Sequence, residues 1–394
     1  MNINFHYYTI KTIARRAGLN EATAQMLATY SQLVDDFDIY ASIQLEYVPE
    51  YAQHLATKNS FRSGWTFYPV TTGFNSLIDM GRLFTETNQK YITVPFHFVP
   101  TRPLENPDPN KRLYPTEKRE LLRTRPARLD NPSLMRTLLF LARDRFYKNQ
   151  SDQNKMFIGM LLHIFADTYA HQQFSGFQGW ENHCKITQAV DTMNGEDLTS
   201  KYNKAGLLPA IGHTEAYHAP DDSYLEFDMR LRLNEKDNYT FYYNRSNTRE
   251  FLLAAKEIYD YIVECFLLDP MSSDEWETFK RHLVHGLWFT QTDIPTLNWL
   301  WHGEFPEYEY NYVNPTKSSF ILADSSANRT NLSETELIQK ILYHTDPEVN
   351  DLLLKVKNDN FFCYNVLAKE IRDTVNGITT SVNAIAEANS PSPC

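Results

Sequence analysis

Three residues on one short stretch carry the clearest chemistry in the chain: His163, Asp167 and His171, spaced four apart between Gly159 and Phe174. Apolar residues at 158, 161, 162, 165, 166 and 169 recur there at helical spacing, with no proline and no β-branched run. Each step of four advances about 400°, so the three side chains fit within roughly 80° of arc on one helix face. That face borders the apolar one, and a partly buried carboxylate flanked by two imidazoles needs partners or a cation. The rise limits the sharing: His163 and Asp167 are about 6 Å apart along the axis, His163 and His171 about 12 Å. One solution sets Asp167 between two metals with one imidazole on each. The plain alternative is a packed core histidine with two solvated neighbours.

Other imidazoles and carboxylates could join them. His6 sits among Phe5, Tyr7 and Tyr8 and, taken alone, reads as a packed side chain. Asp35 and Asp36 end a helix, where the dipole disfavours negative charge and a compensating cation is wanted. His97 lies inside 91–100, an apolar run bracketed by prolines that reads as extended and buried. The stretch 207–222 holds His213, His218, Asp221 and Asp222, with Pro209 and Pro220 bounding a helix of about three turns. Imidazole and carboxylate without thiolate form the donor set of hydrolytic zinc, or of manganese, rather than of a structural cysteine site. Metals held about 3.5–4 Å apart polarise a phosphoryl oxygen and deliver hydroxide at neutral pH. No GxxxxGK[ST], GxSxG or HExxH occurs, which disfavours P-loop, α/β-hydrolase and zincin chemistry.

Positioning such residues takes a large scaffold. With 394 residues, 42% of them hydrophobic, and 24 Phe plus 24 Tyr, the chain can bury a sizeable core. Only 13 glycines argue against a turn-rich β architecture. A formal net charge of −11 argues against general affinity for nucleic acid, so no stable complex with it is expected, or for anionic membranes. Cys184, Cys265, Cys363 and Cys394 are scattered and form neither a disulfide framework nor a thiolate zinc site. No run of 18 apolar residues exists, and the N-terminus lacks the apolar region and cleavage site of a Sec signal peptide. A cytoplasmic location is the default expectation, with non-classical export left open.

Helices are expected at 5–17 (closed by Gly18), 22–34 (capped by Asn20), 73–88, 133–147, through the central stretch, and at 248–268, 274–285, 333–344, 346–357 and 361–375. Residues 39–75 and 302–332 read as irregular, 223–245 as a hairpin or irregular arm, and 379–394 as a frayed tail. Residues 101–132 carry six prolines and eight basic residues. They read as a solvated loop, or as a positive strip that draws an anionic substrate to a nearby mouth. His183 reads as exposed, and His282, His285, His302 and His344, without a carboxylate cluster, as structural or surface groups. The fold class expected is mainly α: one large multi-helix domain over 1–378, core motifs in 1–225 and a helical part over 246–378, with long irregular insertions.

Several segments together resemble a bacterial family of unknown function, DUF6765, over roughly residues 1–225. They are Phe5-His6-Tyr7-Tyr8, the run from Ala28 to Asp35-Asp36, Pro95-Phe96-His97-Phe98, the His163/Asp167/His171 helix with Phe174-Ser175-Gly176, and Gly212-His213 followed by Pro220-Asp221. More distantly, HxxxD followed by a further His resembles zinc-dependent phospholipase C and the S1/P1 nucleases. Those are all-α proteins that bind three zinc ions in a cleft through His, Asp and, in the type enzymes, the first residue of the mature chain. The resemblance implies that His163 and Asp167 are ligands with Asp167 bridging. It matches His97 and His213 to ligands from other helices, and Asp35 or Asp36 to the carboxylate that also activates water. Departures are visible: no proline separates Asp167 from His171, Tyr217 stands where HxxxE would place an acid, and no Trp begins the chain. The N-terminal amine is therefore not expected to ligate, and His6 can substitute.

The function this implies is hydrolysis of a phosphate ester, of phospholipid or nucleotide type, by metal-activated water. His6, Asp35, Asp36, His97, His163, Asp167, His171, His213, His218 and Asp221 would hold two or three zinc ions, or other divalent metals, with Asp35 or Asp36 as general base. The alternative is a non-catalytic helical binding or scaffold protein with a structural metal site, favoured if 101–132 or 223–245 blocks the cavity. Iron-based oxidation is weaker, because a two-His-one-carboxylate set usually draws on mixed elements rather than one helix.

Overall fold

A computed structural model describes residues 1–60, 63–74, 84–100, 119, 121–318, 320–322, 333, 336, 340 and 353–388. Its contacts divide the chain into two compact units. One comprises Met1–Gln32, Leu77–Tyr312 and Thr374–Cys394, the other Leu33–Ser76 and Val313–Asp373.

Helices dominate, at 51% of the chain, yet the expectation of a mainly α fold needs correction, because two three-stranded antiparallel sheets accompany them. In the second unit, β1 (Ile43–Leu45), β2 (Ala56–Lys58) and β3 (Trp65–Phe67) pair in the order β1-β3-β2, inside the stretch expected to be irregular. In the first unit, β4 (Cys184–Asp191), β5 (Leu225–Leu231) and β6 (Phe241–Ser246) pair in sequence order. The hairpin expected over 223–245 is therefore present, with β4 added at its edge. Residues 225–231 alternate apolar and charged side chains and bury every second one. That period-two pattern outranks the scarcity of glycine. The buried face, with Ile186, Phe227, Met229 and Leu231, packs with Phe98 and Phe174.

In the first unit the N-terminal helix runs as a π-helical stretch, Asn4–Thr9, into α1 (Ile10–Arg16) and stops at Gly18, whose φ of +105° suits glycine. Asn20 caps α2 (Glu21–Asp36), its side-chain oxygen accepting the Thr23 N–H at 2.9 Å. Ser133 and Ser151 cap α3 (Leu134–Lys148) and α4 (Asp152–Ala170) in the same way. Every residue of α4 from Met156 to Ala170 is buried. A helix apolar on all sides belongs at a core, and α3 and α5 (Asn247–Phe266) pack against this one. Gly159 lets α2 approach, since a Cβ there would lie 2.7 Å from the Leu27 carbonyl oxygen. Two further helices follow, α6 (Ser273–Leu287) and α7 (Ile294–Glu304), the latter capped by Asp293 and not anticipated. In the second unit Asn365 accepts the Val70 N–H at 2.7 Å. Asn365 lies on α8 (Asn360–Ala388), which continues through residues expected to fray.

Two local expectations fail for identifiable reasons. The run around His97 is helical, not extended: Gln89–Thr93 is π-helical and Val94–Phe96 continues it. Pro95 is tolerated because the first turn needs no N–H from it. The stretch 207–220 forms turns around a short 3-10 segment, Thr214–Ala216, instead of a helix, because Gly212 and Tyr217 take left-handed φ values of +52°. Residues 75–83 of the helix expected at 73–88, most of those expected at 333–344, 346–352 of that expected at 346–357, and 101–118 and 120 of the basic stretch lie outside the described residues. Lys355–Val356, at the end of the expected 346–357 helix, is instead a short strand, because it forms an antiparallel ladder with Ile321–Leu322. Among the described residues, no helix is long and apolar enough to cross a membrane.

Candidate metal centre

The first unit gathers eight of the ten residues singled out above. On α4, His163 and Asp167 point inward at i and i+4, with His163 Nε2 3.3 Å from Asp167 Oδ2. The π-helical turn of the N-terminal segment brings in His6, whose Nε2 lies 3.2 Å from Asp167 Oδ1 and whose ring stacks on His163 with centroids 3.8 Å apart. His97 ends the Pro95 turn and places Nδ1 3.2 Å from Asp167 Oδ2 and 3.4 Å from His163 Nε2. The Met1 ammonium completes the surroundings of Oδ1 at 2.5 Å. Asp167 therefore serves both sides, one oxygen to each. His6, His163 and Asp167 offer donor atoms within 4.8 Å of one another, a group that could hold a metal ion.

A second such group is His171, His213 and Asp221. His171 caps the end of α4 rather than lying within it, and its Nδ1–H donates to the His97 carbonyl at 2.7 Å. His213 donates its own Nδ1–H to the Tyr217 carbonyl at 2.6 Å, which the left-handed backbone at Tyr217 presents. With each Nδ1 proton committed to a carbonyl, both rings turn Nε2 toward one carboxylate: His171 at 3.1 Å from Asp221 Oδ1 and His213 at 3.3 Å from Oδ2. Holding the far ring nitrogen on a carbonyl is how metal-ligating histidines are oriented. Phe98 stacks on His171, centroids 4.4 Å apart, and packs so close to Gly212 that a Cβ there would fall 2.5 Å from its ring. His218 lies at the rim, its side chain 60% exposed and Nδ1 3.9 Å from Asp221 Oδ2.

Electrostatics follow from burial. Burial pushes His163 down to about 4 and His213 down to about 4, and drives His6 well below the usual imidazole value, helped by His163 and the Met1 ammonium. Burial alone would raise Asp167, but His171, the Met1 ammonium, His163 and His6 hold it well below the carboxylate range. Asp221 is likewise kept low against burial by His213, the Met1 ammonium, and hydrogen bonds from His171 and His218. The site thus sets two ionised carboxylates beside imidazoles that burial keeps neutral at His6, His163 and His213. His218 moves the other way, raised by its bond to Asp221.

The frame around the loop of 212–222 is polar and buried. Arg245, 2% exposed, reaches the Ala170 carbonyl at 2.5 Å and the Pro220 carbonyl at 3.4 Å, tying the end of α4 to that loop. Asn247 donates to the carbonyls of Ala219 and Asp222 on either side of Asp221. Glu215, fully buried, accepts from the Cys184 and Gly206 amides and His183. His183, expected exposed, is therefore paired. Arg245 lies outside the expected set, and the Met1 amine, which is not expected to ligate without a first-residue Trp, donates to Asp167. Asp35 and Asp36 end α2 in the second unit, and the two groups above use first-unit residues alone. Among the described residues of the expected positive strip, Arg119 pairs with Glu181, Arg123 donates to the Gln173 and Arg232 carbonyls, and Arg128 pairs with Asp130.

No curated protein and no solved structure matches the chain, so the likeness to phospholipase C and S1/P1 nuclease is not shown. The model of one family, described as a family of unknown function, matches residues 1–378, and the chain belongs to that family, DUF6765.

Proposed function

We propose that the protein is a metal-dependent hydrolase of phosphate esters, with one ion held by His6, His163 and Asp167 and a second by His171, His213 and Asp221. The observation that carries this reading is His213, whose Nδ1 proton is spent on the Tyr217 carbonyl while its Nε2 lone pair faces the Asp221 carboxylate, with His171 Nε2 turned to the other oxygen. Acceptor set against acceptor repels unless a cation sits between them. Zinc suits imidazole and carboxylate donors without thiolate, and manganese shares the set. When bound, such ions polarise a phosphoryl oxygen and lower the pKa of water.

The chain's own groups divide the remaining work. Asp167 is 1% exposed and His6 and His163 are fully buried, so the inner trio supplies charge and rigidity. At the outer trio, the side chains of His213 and Asp221 are 17% and 14% exposed, which lets a substrate reach it. His218, whose pKa the bond to Asp221 raises and whose side chain is open, is the group placed to give a proton to the leaving alkoxide. The substrate class is a phosphodiester, either a phospholipid head group or a nucleotide.

The test is metal analysis of untagged protein purified without chelator, with bis(p-nitrophenyl) phosphate as substrate. We expect two zinc ions per chain in the wild type and loss of metal and turnover in Asp167→Asn. Protein without stoichiometric metal sinks the hydrolase reading.

A further inference from the structure

Away from that centre, the helices α6 and α7 bring together two imidazoles and a carboxylate that the sequence left unconnected. His282 and His285 stand at i and i+3 on α6, and Glu304 is the last residue of α7. Both rings address one oxygen, with His282 Nδ1 2.6 Å and His285 Nδ1 3.4 Å from Glu304 Oε1. Glu304 has no lysine or arginine partner among the described residues. Its side chain is 18% exposed, whereas His282 and His285 are 56% and 59% exposed and open to an incoming ion.

Two features favour a cation here. Glu304 closes α7 and His285 lies in the last turn of α6, so both helices turn their negative ends toward the group. The crossing is also close-packed: a Cβ on Gly286 would lie 2.6 Å from the Trp301 ring. The Asn4 side chain bridges the helices, donating to the Gly286 carbonyl at 2.9 Å and accepting the Trp301 indole N–H at 2.6 Å. The donors thus come from two helices fixed against each other, and only the exposed imidazoles must adjust to reach one ion.

We propose that His282, His285 and Glu304 form an exchangeable surface site for a divalent transition ion that staples α6 to α7. Imidazole and carboxylate select zinc, copper or nickel over magnesium or calcium, with affinity rising from cobalt through nickel to copper. The staple does not depend on the hydrolase reading. An ion there tightens the crossing that holds Asn4, two residues before His6.

The test is calorimetric titration of the full chain with nickel, comparing wild type, His282→Ala/His285→Ala, Glu304→Gln and Asp167→Asn. We expect the wild type to take up one equivalent more than the double variant. Glu304→Gln should weaken that equivalent about tenfold or more, and Asp167→Asn should keep it. Because both imidazoles are exposed and Glu304→Gln keeps the shape of the half-buried side chain, the variants should show wild-type circular dichroism. Equal nickel uptake by wild type and the double variant overturns the site and leaves an ordinary His–Glu ion pair. Full affinity in Glu304→Gln also overturns it, since the carboxylate is then not a ligand.

Discussion

His213 Nε2 lies 3.3 Å from Asp221 Oδ2, although neither atom holds a proton to share. Burial keeps the imidazole neutral, the Tyr217 carbonyl takes its Nδ1–H, and the carboxyl stays ionised. His171 Nε2 approaches the other oxygen of the same carboxylate at 3.1 Å.

Replacing Asp221 by Asn separates the two explanations for this arrangement. An amide donates to the bare His213 Nε2 but gives up the ion pair with the Met1 ammonium at 3.3 Å and the charge that holds the Asp221 carboxyl low. The chelated variant should therefore be less stable than chelated wild type, by about 1.5–3 kcal/mol for a charged hydrogen bond. With metal present, the variant should lose one of two equivalents. Thermal melts in EDTA beside metal analysis make the comparison. Full metal content in Asp221→Asn would show that the carboxylate is not a ligand.

Buried neutral imidazoles also fix the acid behaviour of the metal-free protein. The unfolded chain binds protons on these rings below about pH 6.5, while folded His163 and His213 stay unprotonated down to about 4. Between those values the unfolded state holds more protons, so stability falls as pH falls, on the order of 3 kcal/mol for His163 alone by pH 4. The Asp167 and Asp221 contributions, from depressed carboxyls, are lost only at still lower pH. Urea unfolding of chelated protein at pH 7, 5.5 and 4.5 reads this directly. A flat profile would mean that the rings are charged or solvated in the native state.

Much of the centre was legible because its ligands sit on a strongly periodic helix or beside residues that punctuate the backbone. His163 and Asp167 follow from spacing alone, and the proximity of His213 to Asp221 follows from a cluster within ten residues. What could not be read was tertiary. Nothing local indicates that Met1 reaches Asp167, 166 residues away. The helical turn before His97 hides behind Pro95, which serves a strand edge and a helix start alike. The β5–β6 hairpin was visible as alternation, but its third strand, β4, pairs across some forty residues and carries a bulge between Ile186 and Gln188. Glu304 was missed for the same reason, since its partners lie on another helix.

Arg245 makes the outer trio depend on a residue that touches no ligand. Its fork spans the Ala170 and Pro220 carbonyls, one residue from His171 and from Asp221. Lysine keeps the charge and cannot make both bonds. Arg245→Lys should therefore lose the outer ion and retain the inner one, and should cost on the order of 2–3 kcal/mol for one charged hydrogen bond. Metal stoichiometry and denaturant unfolding measure the two effects. Retention of both ions would remove the tie from the account.

The leaving-group dependence of His218→Ala tests proton donation at the rim. A general acid matters in proportion to the basicity of the group expelled, with effects of about 10²–10⁴-fold where it is fully used. Hydrolysis of an alkyl phosphodiester should fall by that order, whereas a p-nitrophenyl ester, whose leaving group needs no proton, should be nearly unaffected. Metal content should not change, because His218 is 60% exposed and stands beyond the outer trio. In wild type the alkyl activity should decline on the alkaline side of the ordinary histidine value, since the bond to Asp221 raises the His218 pKa. That limb should vanish in the variant. Equal losses for both esters would instead mark His218 as a group that positions substrate or Asp221.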